Sequence, residues 1–359
     1  GELLVSGASN IPVWSLDRDL QMVPATMSSV FPTGVKEVFQ LRLASGRTVT
    51  ASANHPFLTV DGWHRLDELA VGGRVAVPRR VPAPLDPRRW PTDEVVMLAH
   101  LLGDGCVATG QPAGLRSYEK FVPDRVFQLP DDQIALFLRH LWATDGCVHV
   151  RQRIARIYYA TTSRSLADGI QQLLLRLGIQ SRVREVAQGD HRPAFHLTIT
   201  GAPNQLRFLE RVGSHGRRGT QAEKAAAMLR TIVPNTNNDT VPREVWSRVK
   251  AAMRRSGVTS RELAAGLGAA YSGSALYKRS PSRERLGRVA TLVEDRVLEA
   301  LATSDVFWDE IVSIEPLGEQ LVYDATVLET HNFVANGITV ENSIEQDSDV
   351  VMFIFREEI

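Results

Sequence analysis

The stretch Leu321-Val322-Tyr323-Asp324-Ala325-Thr326-Val327 is followed by His331-Asn332-Phe333-Val334-Ala335-Asn336-Gly337 and by Val340-Glu341-Asn342-Ser343. Its short β-branched runs are typical of strands, and Glu310 to Ile314 has the same character. Near the start of the chain, the pattern predicts strands at Pro12-Val13-Trp14-Ser15-Leu16, Val35 to Leu43 and Arg47 to Ala51, with turns at Pro32-Thr33-Gly34 and Ser45-Gly46. Because this pattern stops near residue 77 and resumes near residue 308, the sequence predicts one all-β domain that is split by an insertion.

Length and composition exclude several classes of protein. The chain has 359 residues, enough for two or three domains, because single cores rarely grow beyond ~250 residues. With 43% hydrophobic and 23% charged residues and no long apolar run, it has the composition of a soluble globular protein, with no signal or membrane-spanning segment. The only cysteines are Cys106 and Cys147, which excludes a disulfide scaffold and predicts a cytoplasmic protein.

The C-terminal stretch that ends at Asn342-Ser343 closely resembles the terminal motifs of inteins. Ser52-Ala53-Asn54-His55-Pro56-Phe57 resembles their internal Thr-x-x-His motif, with serine in place of threonine. The resemblance covers essentially residues 1–342 and implies an all-β Hint splicing domain made of residues 1–77 and 307–342. Residues 78–92 are rich in proline and form a predicted linker. The overall expectation is a multidomain α+β protein that splices itself without a cofactor.

The chemistry of splicing accounts for the residue types in these motifs. The side-chain amide of Asn342 can attack its own backbone carbonyl through a five-membered ring, which would cut the chain after Asn342. By resemblance, Ser343 accepts the upstream flanking segment as an ester before that step. The resemblance also implies that Ser52 and His55 serve the upstream peptide bond, that His331 assists Asn342, and that Asp324 orients groups between the two sites.

Two positions depart from the intein pattern. Glu341 stands where histidine is common, so we expect cyclisation to depend more on His331 and to be slow. Gly1 stands where a Cys or Ser nucleophile is expected, and Gly1-Glu2-Leu3-Leu4 resembles the stretch after the first motif. We therefore expect a truncated start; the alternative is an intein class that recruits a cysteine from elsewhere.

The insertion contains two similar segments, Leu98-Ala99-His100-Leu101-Leu102-Gly103-Asp104-Gly105 and Leu138-Arg139-His140-Leu141-Trp142-Ala143-Thr144-Asp145-Gly146. Both resemble the LAGLIDADG motif of homing endonucleases, which implies such a domain at residues 93–240. By resemblance, Asp104 and Asp145 would hold a divalent metal between the scissile phosphates of DNA, and this metal would be Mg²⁺ if the enzyme is active. Lys120 would face the same scissile phosphates.

The spacing of the two motifs argues against an intact nuclease. After Asp145 the sequence predicts a hairpin (Val148 to Thr161), a helix (Ser163 to Leu177), a second hairpin (Ser181 to Thr200) and a helix (Pro203 to Val212). Only 41 positions separate Asp104 from Asp145, and they include the helix of the second motif. The first half of the domain is therefore predicted to lack its sheet, with the loss near Gln111 to Gly114, and cleavage is predicted to be weak or absent.

Residues 241–300 are predicted to form a basic helical subdomain. Val241 to Arg296 contains twelve basic and five acidic residues, and Gly257 to Ala264 has the turn, N-cap and apolar stripe of a small helix-turn-helix. The candidate DNA-binding residues are Arg254, Arg255, Arg261, Lys278 and Arg279. A solvated basic surface is the alternative interpretation.

The last segment, Ser343 to Ile359, has a polar start and a continuous apolar run, as in a strand buried in a parallel sheet. It resembles part of the ATPase core of DnaB-type replicative helicases, which implies a host protein that uses ATP, binds DNA and forms a homo-oligomeric ring, with no membrane partner. No Walker A motif is present, so ATP binding would belong to other parts of the host. Two further functions stay open: a homing endonuclease, and a helicase with a passive insertion.

Overall fold

The computed structural model describes residues 10–104, 116–216, 219–233, 235–271 and 273–342, together with the backbone of Val350–Val351. The chain combines helices and sheets and divides into two compact units. The first unit comprises the described residues up to Ala44, Thr48–Pro78, and those from Thr236 onward. The second unit comprises Ser45–Arg47 and the described residues of Arg79–Asn235. Described segments from before and after the second unit therefore form the first unit.

The strands are numbered in chain order: β1 (Ile11–Leu16), β2 (Met22–Leu43), β3 (Thr48–Ser52), β4 (Pro56–Thr59), β5 (Gly62–Arg65), β6 (Arg74–Pro78), β7 (Gly146–Arg151), β8 (Ile154–Thr161), β9 (Ser181–Gln188), β10 (His191–Ile199), β11 (Val306–Val327), β12 (Asn332–Ala335), β13 (Ile338–Glu341) and β14 (Val350–Val351). The α-helices are α1 (Thr92–Gly103), α2 (Asp124–Phe127), α3 (Asp131–Asp145), α4 (Arg164–Arg176), α5 (Ala202–Arg211), α6 (Gly219–Arg230), α7 (Val245–Ser256), α8 (Ser260–Gly266), α9 (Arg283–Val293) and α10 (Arg296–Thr303).

A long antiparallel ribbon of β2 and β11 forms the centre of the first unit. The two strands pair from Leu43 with Ile311 to Met27 with Val327. The turn predicted at Pro32-Thr33-Gly34 is wrong, because β2 runs straight through it and the register only shifts opposite Val322 and Tyr323. The register shift accommodates Pro32 and Gly34 as an irregularity of the β-ladder, so the chain does not reverse direction there.

The two sheets of the first unit meet around the segment that carries His55. One sheet has the order β1-β2-β3-β14-β11-β6, and the other has the order β12-β13-β4-β5. The end of β6 pairs with the start of β11 through Pro78 and Val306, so the two edges of the insertion are adjacent in the sheet. Buried apolar residues fill the space between the strands, including Leu41, Phe57, Val75 and Ile311.

The helices α7 to α10 share a core with strands of the first unit. Trp246, Val249 and Leu286 belong to the same buried cluster as Leu58 and Trp308. As the sequence predicts, α7 ends at Gly257, whose φ of +74° allows the left-handed cap, and Thr259 caps α8 in a reciprocal box with Glu262. The basic helical region is therefore part of the hydrophobic core of the first unit.

The second unit has the predicted order of helix, two strands, helix, two strands and helix from α3 to α5. Its sheet has the strand order β7-β8-β10-β9, and its core contains Phe137, Trp142, Ile157 and Leu173. Between Asp104 and Asp131 the described residues, which begin again at 116, contain the short helix α2 and no strand. Residues Gln111 to Gly114 and Cys106 lie outside the described residues.

Only Val350–Val351 is described within the last segment. These residues form β14, which pairs antiparallel with Ala51 of β3 and Tyr323 of β11, not in the parallel sheet that the sequence predicts. Both partners of this short strand are therefore strands of the first unit, and the prediction of a parallel neighbour is wrong for the two described residues. None of the described helices is both long and apolar enough to span a bilayer.

Candidate functional site

A tight turn after β3 places His55 inside the first unit. The backbone N–H of His55 donates to the Ser52 carbonyl at 3.1 Å, and the Ser52 hydroxyl donates to Asn54 Oδ1 at 2.8 Å. The His55 ring is fully buried and lies edge-on to Phe57, with 5.1 Å between the ring centroids. Ser52 thus shapes the turn that fixes the position of the imidazole.

Neither ring nitrogen of His55 has a hydrogen-bond partner among the described residues. Burial lowers the pKa of His55 to about 3, so the ring is neutral at neutral pH. A neutral imidazole carries one donor and one acceptor, and leaving both unmatched in an apolar site is costly. Such a ring can form hydrogen bonds with a peptide group that enters the site.

Asn342 lies at the same end of the β4–β13 pair as His55. Phe57 of β4 pairs antiparallel with Val340 of β13. His55 lies two positions before Phe57, and Asn342 lies two positions after Val340. Because the strands are antiparallel, both residues lie at the same end of the pair. Asn342 is 1% exposed, and its backbone N–H donates to the His331 carbonyl at 2.9 Å. The structure therefore brings together three of the predicted residues: His55, His331 and Asn342. Ser343 lies outside the described residues.

Asp324 is held on the other sheet. It is 2% exposed on β11, where its Oδ1 accepts a hydrogen bond from the backbone N–H of Ala325 at 2.7 Å. Asn342, in contrast, follows β13 of the four-stranded sheet. The predicted orienting role of Asp324 stays a prediction.

Asn332 is a site residue that the sequence reasoning did not select. Its Nδ2 donates to the carbonyls of Leu16 and Thr330 at 2.9 and 2.8 Å. Its Oδ1 accepts from the backbone N–H of Leu16 at 2.8 Å and from the hydroxyl of Ser15 at 3.0 Å. This buried clamp fixes the backbone directly after His331. The sequence signal that could have identified Asn332 is its position as a polar residue between His331 and the apolar residues of β12.

Glu341 directly precedes Asn342 and lies partly buried. Burial raises the pKa of its carboxyl above the usual range. Because a raised pKa favours the protonated form, a larger fraction of this carboxyl keeps its proton than of an exposed glutamate, although it is not the histidine expected at this position.

The helix ends that carry the two acidic residues of the second unit are in close contact. A Cβ built on Gly103 would lie 2.0 Å from Thr144 Oγ1, so only glycine permits this approach. Asp104 and Asp145 directly follow these two residues and are exposed. Tyr159, also absent from the predicted set, donates to Asp145 Oδ2 at 3.5 Å, and burial, then the charge of Asp145, raises its pKa.

Lys120 lies beside this carboxylate pair. Its ammonium donates at 2.8 Å to the carbonyls of both Leu102 and Gly103, so it binds the C-terminal end of α1. Two exposed carboxylates suit Mg²⁺, which commonly keeps water ligands and uses one or two protein carboxylates plus substrate phosphate. No group of three or more potential metal-ligating side chains occurs in the described part of the chain.

The five candidate DNA-binding residues of the first unit are all exposed, but their contacts differ. Arg255 forms an ion pair with Asp295 at 2.6 Å, and the Arg261 guanidinium lies 5.8 Å from the centroid of the Tyr271 ring. Arg254 and Lys278 form no ion pair with any described residue, and the backbone carbonyl of Arg279 accepts from the Trp246 indole. The side-chain charges of Arg254, Lys278 and Arg279 are thus more available than that of Arg255.

The comparison with protein families identifies the class of the middle of the chain. Residues 132–213 match the family described as a LAGLIDADG-like domain. This range contains all but the first residue of α3, which ends in Asp145, and the four strands of the second unit. A LAGLIDADG-like domain is therefore confirmed over residues 132–213, whereas its predicted extent of 93–240 stays a prediction.

The relatives include bacterial replicative DNA helicases. Replicative DNA helicase DnaB of Synechocystis sp. is 37% identical over 96% of this chain and 48% of its own length, so the chain spans about half of that relative. The alignment extends over 417 residues, more than the 359 of this chain, so that DnaB has residues without a counterpart here. The chain is thus similar to about half of a replicative DNA helicase, and its residues 132–213 are LAGLIDADG-like.

Two further matches extend this comparison. RecA of Mycobacterium tuberculosis is 28% identical over 95% of this chain and 53% of its own length. A crystal structure of a DnaB intein from Synechocystis sp. PCC 6803 matches with a TM-score of 0.32 and 16% identity, covering 96% of this chain and 84% of that one. A TM-score this low does not support a detailed superposition of the two folds.

Proposed function

We propose that this chain is a protein-splicing element that cuts itself out of a DnaB-type helicase and joins the flanking segments at Ser343. The observation that carries the proposal is the fully buried His55, with two unmatched ring nitrogens, at the same end of a strand pair as Asn342. Nearly the whole chain aligns with about half of both DnaB and RecA, as expected for an element that lodges in different hosts.

The chemistry is an intramolecular acyl transfer followed by cyclisation. Asn342 Nδ2 attacks its own carbonyl carbon, the bond to the Ser343 nitrogen breaks, and a C-terminal succinimide forms. The leaving amine takes up a proton, for which His331 and Glu341 are the nearby candidates. The hydrogen bond from Asn342 N to the His331 carbonyl holds this residue in place, so that its side chain has few conformations to lose before attack.

Intact mass spectrometry of the purified chain tests this proposal. At neutral pH the parent is expected to release the 343–359 peptide, whereas Asn342→Ala stays whole. Asn342→Asp is the matched control, because it keeps the size and polarity but replaces the nucleophilic amide. Release of the 343–359 peptide from the parent and from both variants would show ordinary proteolysis. Release of the peptide from none of the three proteins would refute C-terminal cleavage by this chain.

We also propose that the second unit is a degenerate homing endonuclease with weak or no cleavage. Asp104 and Asp145 would hold Mg²⁺, which would supply charge stabilisation at the scissile phosphates. Among the described residues one four-stranded sheet accompanies the two acidic helix ends, and a single sheet grips less DNA than a pair would. Metal-dependent nicking of the uninterrupted helicase gene, lost in Asp145→Asn, would contradict this proposal.

The properties of the spliced host follow as proposals from its relatives. We propose that the joined helicase binds DNA, uses ATP and forms a homo-oligomeric ring, whereas splicing itself uses no cofactor. Mixing this chain with a separate N-terminal fragment that carries the first nucleophile, followed by an ATP-dependent unwinding assay, would test whether ligation restores the host.

A further inference from the structure

An open groove lies between the end of α7 and the start of α8. It has a volume of about 430 Å³, and its lining residues are Lys250, Met253, Arg254, Gly257, Val258, Thr259, Ser260 and Tyr277. Tyr277 comes from the 3-10 turn Gly273–Lys278. The groove is therefore built from a helix, a three-residue turn containing glycine, and a second helix, the arrangement of a helix-turn-helix.

Two uncompensated cations line one side of this groove. Lys250 and Arg254 are four residues apart on α7 and so lie on the same face of the helix. Both are exposed, and neither forms an ion pair with any described residue. The Lys250 ammonium lies 4.7 Å from the centroid of the Tyr277 ring, which positions this charge at the groove without neutralising it.

Glu262 lies two residues after the groove-lining Ser260 and is held by its own helix cap. Glu262 accepts hydrogen bonds from the Thr259 hydroxyl and backbone N–H, both at 2.8 Å, and these bonds lower its pKa. The Ser260 hydroxyl lies 3.1 Å from the Tyr277 hydroxyl. Counting Lys250, Arg254 and the adjacent Lys278 against Glu262, the charge around the groove stays positive.

We infer that this groove binds a phosphate of the backbone of double-stranded DNA. Lys250 and Arg254 would contact the phosphate oxygens, with the Ser260 hydroxyl as an additional donor. Duplex DNA is the favoured ligand, because a helix-turn-helix presents its second helix to a groove of the duplex while neighbouring residues contact the backbone. The inference depends neither on splicing nor on the carboxylates of the second unit.

The salt dependence of binding tests the inference on the full chain. Each phosphate contact contributes about 0.9 to the slope of log K against log salt for duplex DNA. With a labelled random-sequence duplex, Lys250→Gln together with Arg254→Gln is expected to reduce the slope by about 2 and to weaken binding equally on different sequences.

A charge-matched control separates a defined contact from general attraction. Arg243→Gln together with Arg255→Gln removes the same charge from residues that pair with Glu244 and Asp295. This control is expected to leave the slope nearly unchanged. Equal slopes for the two double variants, or tighter binding of single-stranded DNA than of the duplex by the parent, would overturn the inference. Lys250→Arg with Arg254→Lys keeps both charges and should restore the slope, which excludes misfolding as the cause.

Discussion

The burial of His55 makes the first unit sensitive to acid in a way that one substitution should remove. Because the folded-state pKa lies well below that of the unfolded chain, the unfolded state binds the extra proton below about pH 6.5. The unfolding free energy therefore falls as the pH decreases from about 6.5 towards 3. With a folded pKa of about 3, this one group costs about 2.5 kcal/mol between pH 7 and pH 4.5.

His55→Leu replaces the ring with an apolar side chain of similar bulk. At pH 7 we expect little loss of stability, or a gain, because two unmatched polar atoms leave an apolar site. Splicing chemistry at the upstream bond should be lost in the same variant. Between pH 7 and pH 4.5, the unfolding free energy of the parent should decrease by about 2.5 kcal/mol more than that of His55→Leu.

Hydrogen exchange in urea series at the two pH values is the suitable assay. Peptides covering residues 48–65 report on the first unit separately from the second. His191→Gln is the control, because His191 is exposed on β10 and its replacement should leave the acid response unchanged. Equal losses of unfolding free energy in the parent and in His55→Leu would show that burial does not keep the His55 imidazole neutral. This result would contradict the role proposed for His55 in the site.

Three other substitutions test specific contacts. Asn332→Ala should lower the unfolding free energy by about 2 to 4 kcal/mol in urea titrations, because four hydrogen bonds are lost and their buried partners are left unmatched; a loss below about 0.5 kcal/mol would exclude a clamp. Gly103→Val should destabilise the second unit by about 1 to 3 kcal/mol in thermal unfolding, with partial rescue by Thr144→Gly, and no rescue would contradict the contact at the helix ends. Glu341→Gln should raise stability at pH 7 but not at pH 3, because a carboxyl with a raised pKa loses its stabilisation as the pH rises through that value; a gain that is equal at both values would refute burial as the cause.

Periodicity predicted most elements of the fold where local pattern and tertiary structure agree. The hairpins and helices from β7 to α5 lie within a few residues of their predicted bounds, because each is short and ends at a turn residue. The ribbon of β2 and β11 was predicted as separate pieces. Its continuity depends on pairing between residues about 290 positions apart, which a local pattern does not contain.

Parts of the candidate site were predictable from residue chemistry, and others were not. His55 and His331 were predicted from the resemblance of their motifs to those of inteins, and Asn342 from that resemblance and from the ability of its amide to cyclise. Asn332 and Tyr159 were missed because their roles come from partners distant in the sequence, Leu16 and Asp145. Arg255 forms an ion pair with Asp295, whereas Arg254 forms none with a described residue. The sequence could not predict this difference, because it does not show that Asp295 lies next to Arg255.

The shared core of α7 to α10 with the strands sets where this chain can be shortened. Pro78 pairs with Val306, so removing everything between them would close a simple hairpin, but it would leave Leu58, Ala76 and Trp308 without the helices that cover them. Arg74 Nη1 donates to Thr240 Oγ1 at 3.0 Å, which brings the start of the helical region to the same strand. A compact engineered version should therefore omit residues 79–235 and retain the rest. By the same reasoning, natural loss of the nuclease-like part need not disturb the splicing residues, whereas loss of the helices would.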